Sequence, residues 1–233
     1  MENQLTFKQG VQACLPTILG YIGIGFAMGV VGKDVGLGVF AIAMMSILVY
    51  AGSAQFIICG LLSIHAPLFS IVLTVFLVNL RHFLMSLSVA PMFNQDSLLT
   101  RIGIGSLLTD ESYGVVITEI LRKHPVNAKW MNGLNLAAYI SWIIATILGA
   151  LFGGFITNPS KYGLDFALVA MFLGLFLFQV EIPLKKHTKS TVLILIGILV
   201  SLIILMRIST SEIAVLGATL LGCLIGVMTH DAK

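Results

Sequence analysis

Charged side chains are scarce in this sequence. Only 10% of its 233 residues are Asp, Glu, Lys or Arg, whereas 58% are apolar. A soluble domain carries about 25% charged residues, so this chain has too few to cover a surface that faces water. Because a helix needs about 20 residues to cross a bilayer, the chain is long enough for about seven to nine crossings. We therefore predict an all-α integral membrane protein with a single polytopic transmembrane domain over residues 1–233.

The sequence also lacks the motifs of enzymes and of proteins that bind nucleotides, nucleic acids or metals. Its three cysteines, Cys14, Cys59 and Cys223, lie far apart in apolar runs, without the spacing of a disulfide or a metal site. Lys33 is followed by Asp34 rather than by Ser or Thr, so the chain has no P-loop for a nucleotide. No basic stripe suits nucleic acid, and no nucleophile–base pair is visible. We expect a non-enzymatic protein with no catalytic residue, no metal site and no cofactor.

Apolar segments follow one another along the chain. Seven of them lie at about residues 11–31, 37–64, 67–93, 130–156, 164–183, 191–206 and 212–229. An eighth segment, 98–121, is long enough to cross but contains Arg101, Asp110, Glu111 and Glu119. Whether it crosses decides between seven and eight spans, and a crossing helix would carry its two adjacent carboxylates halfway along.

The distribution of basic residues favours eight spans. Two basic loops, at residues 122–129 and 185–189, are separated by two spans and so lie on one side of the membrane, which the positive-inside rule makes cytoplasmic. When 98–121 is counted as a span, the N-terminus with Lys8 and the C-terminus with Lys233 are cytoplasmic as well. We predict eight spans with both termini inside the cell, and seven spans remain the alternative.

The centre of the second segment predicts a discontinuous helix. Residues 50–56 read Tyr-Ala-Gly-Ser-Ala-Gln-Phe, where small and hydrogen-bonding side chains interrupt a long apolar run. A break exposes backbone N–H and C=O groups, which transporters use to bind carboxylates and ions. We therefore take Gly52, Ser53, Ala54 and Gln55 as candidate substrate-binding residues. The alternative is a steeply tilted helix in which Ser53 and Gln55 only link helices.

The third segment carries three polar residues, Asn79, Arg81 and His82, which we also take as candidate substrate-binding residues. An arginine at the bilayer centre costs about 2.5–3.5 kcal/mol on insertion scales, so it needs a carboxylate, carbonyl groups or water nearby. Asn79 and His82 are three residues apart and share a helix face, whereas Arg81 is expected to point toward Ser88. The alternative is that Arg81 reaches the membrane surface from a shorter span.

Asp110 and Glu111 are candidate coupling residues. Two adjacent carboxylates inside a membrane repel each other when both are ionised, so one is expected to keep a proton, as a proton carrier must. A plainer interpretation, compatible with the first, is that one pairs with Arg81 and the other lines water. A weaker signal is the polar stripe formed by Asn135, Tyr139, Trp142 and Thr146, which suits either a cavity wall or hydrogen bonds between helices.

Three of these elements resemble the AzlC family, whose members are the larger subunits of two-component branched-chain amino acid exporters. They are the 50–56 motif, Arg81-His82 and the motif Leu-Thr-Asp-Glu at 108–111, in the same order and spacing, and the resemblance covers nearly the whole chain. Some relatives carry an aspartate two residues before the arginine, where this chain has Asn79. That difference places more weight on Asp110 and Glu111 as coupling groups.

The resemblance implies a location, a partner and a substrate class. The implied location is the bacterial cytoplasmic membrane, the partner is a small hydrophobic subunit of the AzlD type, and the exported substrates are leucine, isoleucine and valine, with methionine as a further candidate. An apolar pocket gains only about 0.8 kcal/mol per methylene, so sharp discrimination among these side chains is not expected. We expect a secondary exporter driven by the proton gradient or by the substrate gradient itself. A channel or passive pore for small polar solutes, and a structural or assembly subunit, remain the other possible functions.

Overall fold

The computed structural model describes residues 5–121, 126–155, 161, 163, 166–209, 214, 217–218, 220–222 and 224–227. Every regular element in these ranges is a helix, and none of the described residues forms a strand. The prediction of an all-α protein is therefore confirmed.

The long helices are of the length and composition that a membrane requires. Among the described residues, four can cross a bilayer on both criteria: Leu15–Asp34, Leu68–Phe93, Ala128–Phe152 and Thr188–Ile208. The second of these includes a short 3-10 helix, Ala90–Phe93, that continues an α-helix ending at Val89. The α-helices whose bounds are described are, in chain order, α1 Phe7–Ala13, α2 Leu15–Asp34, α3 Val39–Leu48, α4 Gly52–Ser63, α5 Leu68–Val89, α6 Leu98–Ser106, α7 Asp110–Leu121, α8 Ala128–Phe152, α9 Ala167–Lys186 and α10 Thr188–Ile208. The count of eight spans stays a prediction, because the predicted last span, 212–229, lies largely outside the described residues.

Residues Met1–Phe172 and Leu173–Lys233 form two compact units. The first contains α1 to α8, and α8 lies at its centre, in contact with α1, α2, α3, α6 and α7. In the second, a side chain added at Gly222 would meet Ile198 of α10. The single transmembrane domain stays a prediction.

Glycine brings α2 and α8 into backbone contact. A Cβ atom added at Gly29 would collide with the backbone of Thr146 and Ala150, and one added at Gly149 would collide with the backbone of Phe26. Gly25 packs in the same way, since a Cβ there would lie 2.8 Å from the Cβ of Ala145. Glycines spaced four apart thus pack helices within the chain, as membrane helices commonly do.

The second predicted segment is broken, as expected. Helix α3 ends at Leu48 and α4 begins at Gly52, so the interruption falls inside the 50–56 motif. Tyr50 has a φ angle of +40° there, a left-handed conformation that bulky residues rarely adopt. The predicted discontinuous helix is confirmed.

The segment 98–121 is also broken, an interruption that we did not predict from the sequence. Helix α6 ends at Ser106, and α7 begins at Asp110. Asp110 and Glu111 therefore lie in the first turn of a half-helix rather than halfway along an unbroken one. The reason is local: Thr109 caps α7 through its side chain, which favours a helix start at this position.

The two broken helices occupy equivalent places in the chain. Each is followed by a long continuous helix, α5 after α3 and α4, and α8 after α6 and α7. Val39 and Leu98 are the first residues of α3 and α6. They are separated by almost the same length of chain as Gly52 and Asp110, the first residues of α4 and α7. Paired interruptions of this kind mark the binding site in many secondary transporters.

Candidate functional site

The first turns of α4 and α7 meet at one cavity in the first unit. The cavity also receives side chains from α2, α5 and α8. Its lining residues are Tyr21, Tyr50, Ala51, Gly52, Ser53, Arg81, His82, Thr109, Asp110, Glu111 and Trp142. The centre of a water molecule can occupy about 20 Å³ there. That is room for a water molecule or two, and an amino acid does not fit until the cavity widens.

Helix α4 begins at the cavity without a side-chain cap. Its N-cap residue is Ala51, which has extended backbone angles but no side chain that can accept a hydrogen bond. The first N–H groups of a helix have no partner within the helix, and together with the helix dipole they attract an anion. Gly52 lets this helix start lie against Trp142, because a Cβ at Gly52 would come within 2.8 Å of the indole ring.

Helix α7 begins at the same cavity with a complete cap. The N–H of Thr109 donates to Ser112 Oγ at 2.9 Å, and the N–H of Ser112 donates to Thr109 Oγ1 at 3.4 Å. Asp110 and Glu111 follow in the first turn, where the helix dipole favours negative charge. The two half-helices therefore present different chemistry to the cavity: N–H groups without a side-chain cap from α4 and carboxylates from α7.

Arg81 and Asp110 form an ion pair at one end of the cavity. Arg81 Nη2 lies 2.9 Å from Asp110 Oδ2 and also donates a hydrogen bond to Ser53 Oγ. His82 Nε2 lies 3.8 Å from the same carboxylate oxygen. The expectation that Arg81 points toward Ser88, away from His82, was wrong, because the Asp110 carboxylate and Ser53 draw its long side chain into the cavity. We call Ser53, Arg81, His82 and Asp110 the basic pole.

Glu111 lies in a different environment from its neighbour Asp110. Its Oε2 accepts a hydrogen bond of 2.7 Å from the Tyr21 hydroxyl, which lies 2.9 Å from Thr109 Oγ1. No described side chain forms an ion pair with Glu111. The Tyr21 ring packs edge-on against Trp142, with ring centroids 5.0 Å apart. We call Tyr21, Tyr50, Glu111 and Trp142 the acidic pole.

A buried hydrogen-bond network lies beside the cavity. Trp142 Nε1 donates to Gln55 Oε1 at 2.7 Å, Gln55 Nε2 donates to Ser46 Oγ at 3.0 Å, and Ser46 Oγ lies 2.8 Å from Thr146 Oγ1. Ser46, Gln55 and Thr146 are fully buried. The network joins α3, α4 and α8 across the break after Leu48.

The polar stripe on α8 links helices. Asn135 Nδ2 donates to the carbonyl of Ile104, and the Tyr139 hydroxyl donates to the carbonyl of Ile47. Trp142 and Thr146 bond to α4 and α3 as described above, and Trp142 also lines the cavity. Trp142 therefore both lines the cavity and links helices, whereas Asn135, Tyr139 and Thr146 only link helices.

The cavity contains most of the residues predicted to bind substrate or protons. Those that line it are Gly52, Ser53, Arg81, His82, Asp110 and Glu111. Ala54 and Gln55 are fully buried behind it, and Asn79 does not line it. Sequence reasoning missed Tyr21 and assigned no role to Tyr50, although Tyr50 belongs to the 50–56 motif. Among the described residues, no group of His, Cys, Asp and Glu is arranged to hold a metal ion.

Comparison with known proteins assigns the family. Residues 16–156, from α2 to just beyond α8, match the family model described as AzlC protein, and every residue of the cavity falls within this range. The chain belongs to the AzlC family. It is accordingly a multi-pass membrane protein of a transport family.

The AzlC chain is similar over most of its length to several curated proteins. It is 26% identical over 224 residues to the inner membrane protein YgaZ of Escherichia coli, covering 94% of this chain and 89% of that protein. It is 25% identical over 185 residues to the branched-chain amino acid transport protein AzlC of Bacillus subtilis, covering 78% of this chain and 70% of that protein. An uncharacterized membrane protein of Archaeoglobus fulgidus is 28% identical over 195 residues. No solved structure matches the chain significantly.

Proposed function

We propose that this chain is the substrate-binding subunit of a secondary transporter that exports branched-chain amino acids. One observation carries the proposal: two half-helix starts enclose a cavity that has a cation at one pole and a carboxylate without an ion-pair partner among the described residues at the other. The basic pole offers Arg81 and the uncapped start of α4, and the acidic pole offers Glu111. An amino acid zwitterion carries one charge that suits each pole.

The carboxylate of the substrate is assigned to the basic pole. Arg81 can donate two parallel hydrogen bonds to it, and the N–H groups at the start of α4 can donate to it in place of the missing cap. The ammonium group is assigned to Glu111, beside the aromatic rings of Tyr21 and Trp142. Ammonium groups are attracted both to carboxylates and to the faces of such rings.

Binding requires a rearrangement of the basic pole. The cavity is too small for an amino acid, and Asp110 already occupies the guanidinium of Arg81 at 2.9 Å. When the substrate carboxylate binds Arg81, it competes with the Asp110 carboxylate for the same donors. The substrate therefore replaces an internal ion pair, and the cost of exposing Arg81 to the low-dielectric membrane interior is avoided. Release of Asp110 from Arg81 therefore accompanies substrate binding.

Proton coupling follows from the two adjacent carboxylates. With Asp110 paired to Arg81, Glu111 is the carboxylate that gains most from a proton or from a bound ammonium group. When a proton replaces the ammonium group of the substrate at Glu111, outward movement of the substrate is linked to inward movement of the proton. We assign this coupling role to Glu111 and a gating role to Asp110.

The substrate class rests on chemistry and on the family. A relative in Bacillus subtilis is described as a branched-chain amino acid transport protein, and the cavity walls include the apolar surfaces of Tyr21, Tyr50 and Trp142. Apolar contacts of this kind discriminate weakly, so leucine, isoleucine, valine and methionine are all accepted in our proposal. A small AzlD-type membrane subunit completes the exporter, in the cytoplasmic membrane and with both termini in the cytoplasm.

The competing functions make different predictions for reconstituted protein. In liposomes that carry this chain and its small partner, we expect saturable leucine transport that responds to a pH gradient and prefers the L-isomer. A passive pore would carry L- and D-leucine equally and without saturation. A folded complex that moves no leucine would contradict the proposal, and if the chain alone were also not stabilised by leucine, an assembly role would be favoured instead.

A further inference from the structure

The hydroxyl of Tyr50 is a buried polar group that the preceding account does not use. The residue is 8% exposed and lines the cavity. Its ring packs edge-on against Tyr139, with centroids 4.7 Å apart, which fixes its direction. Tyr21 and Glu111 line the same cavity, and the Tyr21 hydroxyl is already donated to Glu111. Even so, no described donor or acceptor makes a hydrogen bond with Tyr50 Oη within 3.5 Å.

A second cost falls on the same residue. Tyr50 adopts a φ angle of +40°, one of two positive values at non-glycine residues in the described chain, and this conformation is unfavourable for a bulky side chain. A buried hydroxyl without a partner is unfavourable as well. Phenylalanine would remove the second cost, and glycine would remove the first. Strain and an unsatisfied group that coincide at a cavity are typical of binding sites.

The other tyrosines near the cavity have structural partners. Tyr21 donates to Glu111, and Tyr139 donates to the carbonyl of Ile47 at 2.9 Å. Tyr50 thus differs from both: it lines the same cavity, yet its buried hydroxyl has no hydrogen-bond partner among the described residues and is available to a ligand. The start of α4 at Gly52, which has no side-chain cap, lies two residues further along the same chain segment.

We propose that Tyr50 is a specificity-determining residue that binds the ammonium group of the substrate. Its phenolic oxygen accepts a hydrogen bond from the ammonium group, while Glu111 supplies the opposing charge. The three N–H bonds of an ammonium group need several acceptors in a buried site, and one carboxylate does not provide them all. Tyr50 therefore separates α-amino acids from carboxylic acids of the same shape. This inference rests on the proposed function.

The test compares two phenylalanine variants with two ligands. Tyr50→Phe and the control Tyr139→Phe are purified as full-length chains, and binding of L-leucine and of 4-methylpentanoate, which lacks the ammonium group, is measured by thermal stabilisation. For Tyr50→Phe we expect about a tenfold loss of leucine affinity, because a hydrogen bond to a charged group is removed. Affinity for 4-methylpentanoate and the melting temperature without ligand should not fall. Tyr139→Phe should lower the melting temperature and leave the preference for leucine intact.

The possible results separate this inference from the function on which it rests. If the unaltered chain is not stabilised by any amino acid, the proposed function fails, and the role of Tyr50 fails with it. If the unaltered chain binds leucine and Tyr50→Phe binds it equally well, only the role of Tyr50 is overturned. If Tyr50→Phe loses affinity for both ligands equally, the hydroxyl does not read the ammonium group, and the inference is wrong.

Discussion

The carboxylate of Asp110, at the start of α7, lies 2.9 Å from the guanidinium of Arg81 in α5, although 28 residues lie between the two in the sequence. Asp110 is 10% exposed and Arg81 is 28% exposed, so the pair is only partly in contact with solvent. Glu111, the next residue in the chain, instead accepts a hydrogen bond from Tyr21. One turn of helix thus provides a carboxylate with a cation and a carboxylate without one among the described residues.

The Arg81–Asp110 pair predicts non-additive effects on stability. Arg81→Met or Asp110→Leu alone leaves a partly buried charge without its main partner, and we expect each to lower the free energy of unfolding by about 2–4 kcal/mol. The double variant removes both charges and should be destabilised by less than the sum of the two. Thermal unfolding of the purified variants in detergent measures this. Strictly additive losses would show that the pair is not coupled.

Glu111 and Glu119 lie on the same helix and provide a matched comparison for proton coupling. We expect Glu111→Gln to reduce leucine transport driven by an imposed pH gradient at least tenfold, because the amide cannot carry a proton or balance an ammonium charge. Glu119→Gln, near the other end of α7 and outside the cavity, should retain the response. The measurement is leucine flux in liposomes with and without the gradient. Equal responses in the two variants would place the coupling group elsewhere.

The uncapped start of α4 predicts a conflict between stability and binding. Ala51→Ser supplies a hydroxyl that accepts a hydrogen bond from the first N–H groups of the helix, and we expect it to raise the stability of the ligand-free protein by about 1 kcal/mol. The same hydroxyl occupies donors that the substrate carboxylate needs, so leucine affinity should fall. Melting temperatures with and without leucine report both effects. A variant that gains stability and keeps full affinity would show that α4 does not hold the carboxylate.

The buried hydrogen bonds of Gln55 predict that this residue stabilises the protein from behind the cavity. Gln55→Leu keeps the volume of the side chain but leaves the Trp142 indole N–H without its acceptor, so we expect a loss of about 1–3 kcal/mol in stability. The matched control is Ser63→Ala on the same helix, where an exposed hydroxyl bonds only to the carbonyl of Gly60. Thermal unfolding compares the two. If Gln55→Leu melts like the control, the network does not hold the break together.

The glycine contacts between α2 and α8 predict that two alanine substitutions on one helix behave differently. Gly29→Ala places a methyl group against the backbone of α8 and should destabilise the protein by about 1–3 kcal/mol, or prevent folding. Gly20→Ala has open space around its Cβ and should be neutral or slightly stabilising, since alanine favours helices. The yield and the melting temperature of each variant check this. Equal behaviour would mean that α2 and α8 are not in backbone contact.

The sequence was sufficient for the fold class and for the break at residues 50–56. Small polar residues inside a long apolar segment have few physical explanations in a membrane, and a discontinuous helix is the main one. The break at 107–109 was not foreseen, because Leu107 and Leu108 continue the apolar pattern and only Thr109 differs. A Thr followed three residues later by Ser is a weak capping signal, which becomes visible once the paired hydrogen bonds between Thr109 and Ser112 are known.

Which residues line the cavity depends on contacts between distant parts of the chain. Arg81, Asp110 and Glu111 could be selected because charged residues are rare and costly in a membrane. Tyr21 could not, since a tyrosine in an apolar helix is common and its partner, Glu111, lies 90 residues away. The sequence also could not distinguish Ser53, which meets Arg81, from Gln55, which faces Ser46 and Trp142. The two differ only in the direction in which one turn of α4 presents them.

The backbone contact between α2 and α8 has a consequence for how the protein can move. Two helices that touch through glycines have no intervening side chains that could change rotamer and let one slide past the other, so they form a fixed frame. The half-helices begin just after Tyr50 and Thr109, where a few backbone angles can change without disturbing a long helix. We therefore expect the cavity to open by movement of α4 and α7 against a stationary α2–α8 pair. A crosslink between α2 and α8 should leave transport intact, whereas one between α4 and α7 should stop it.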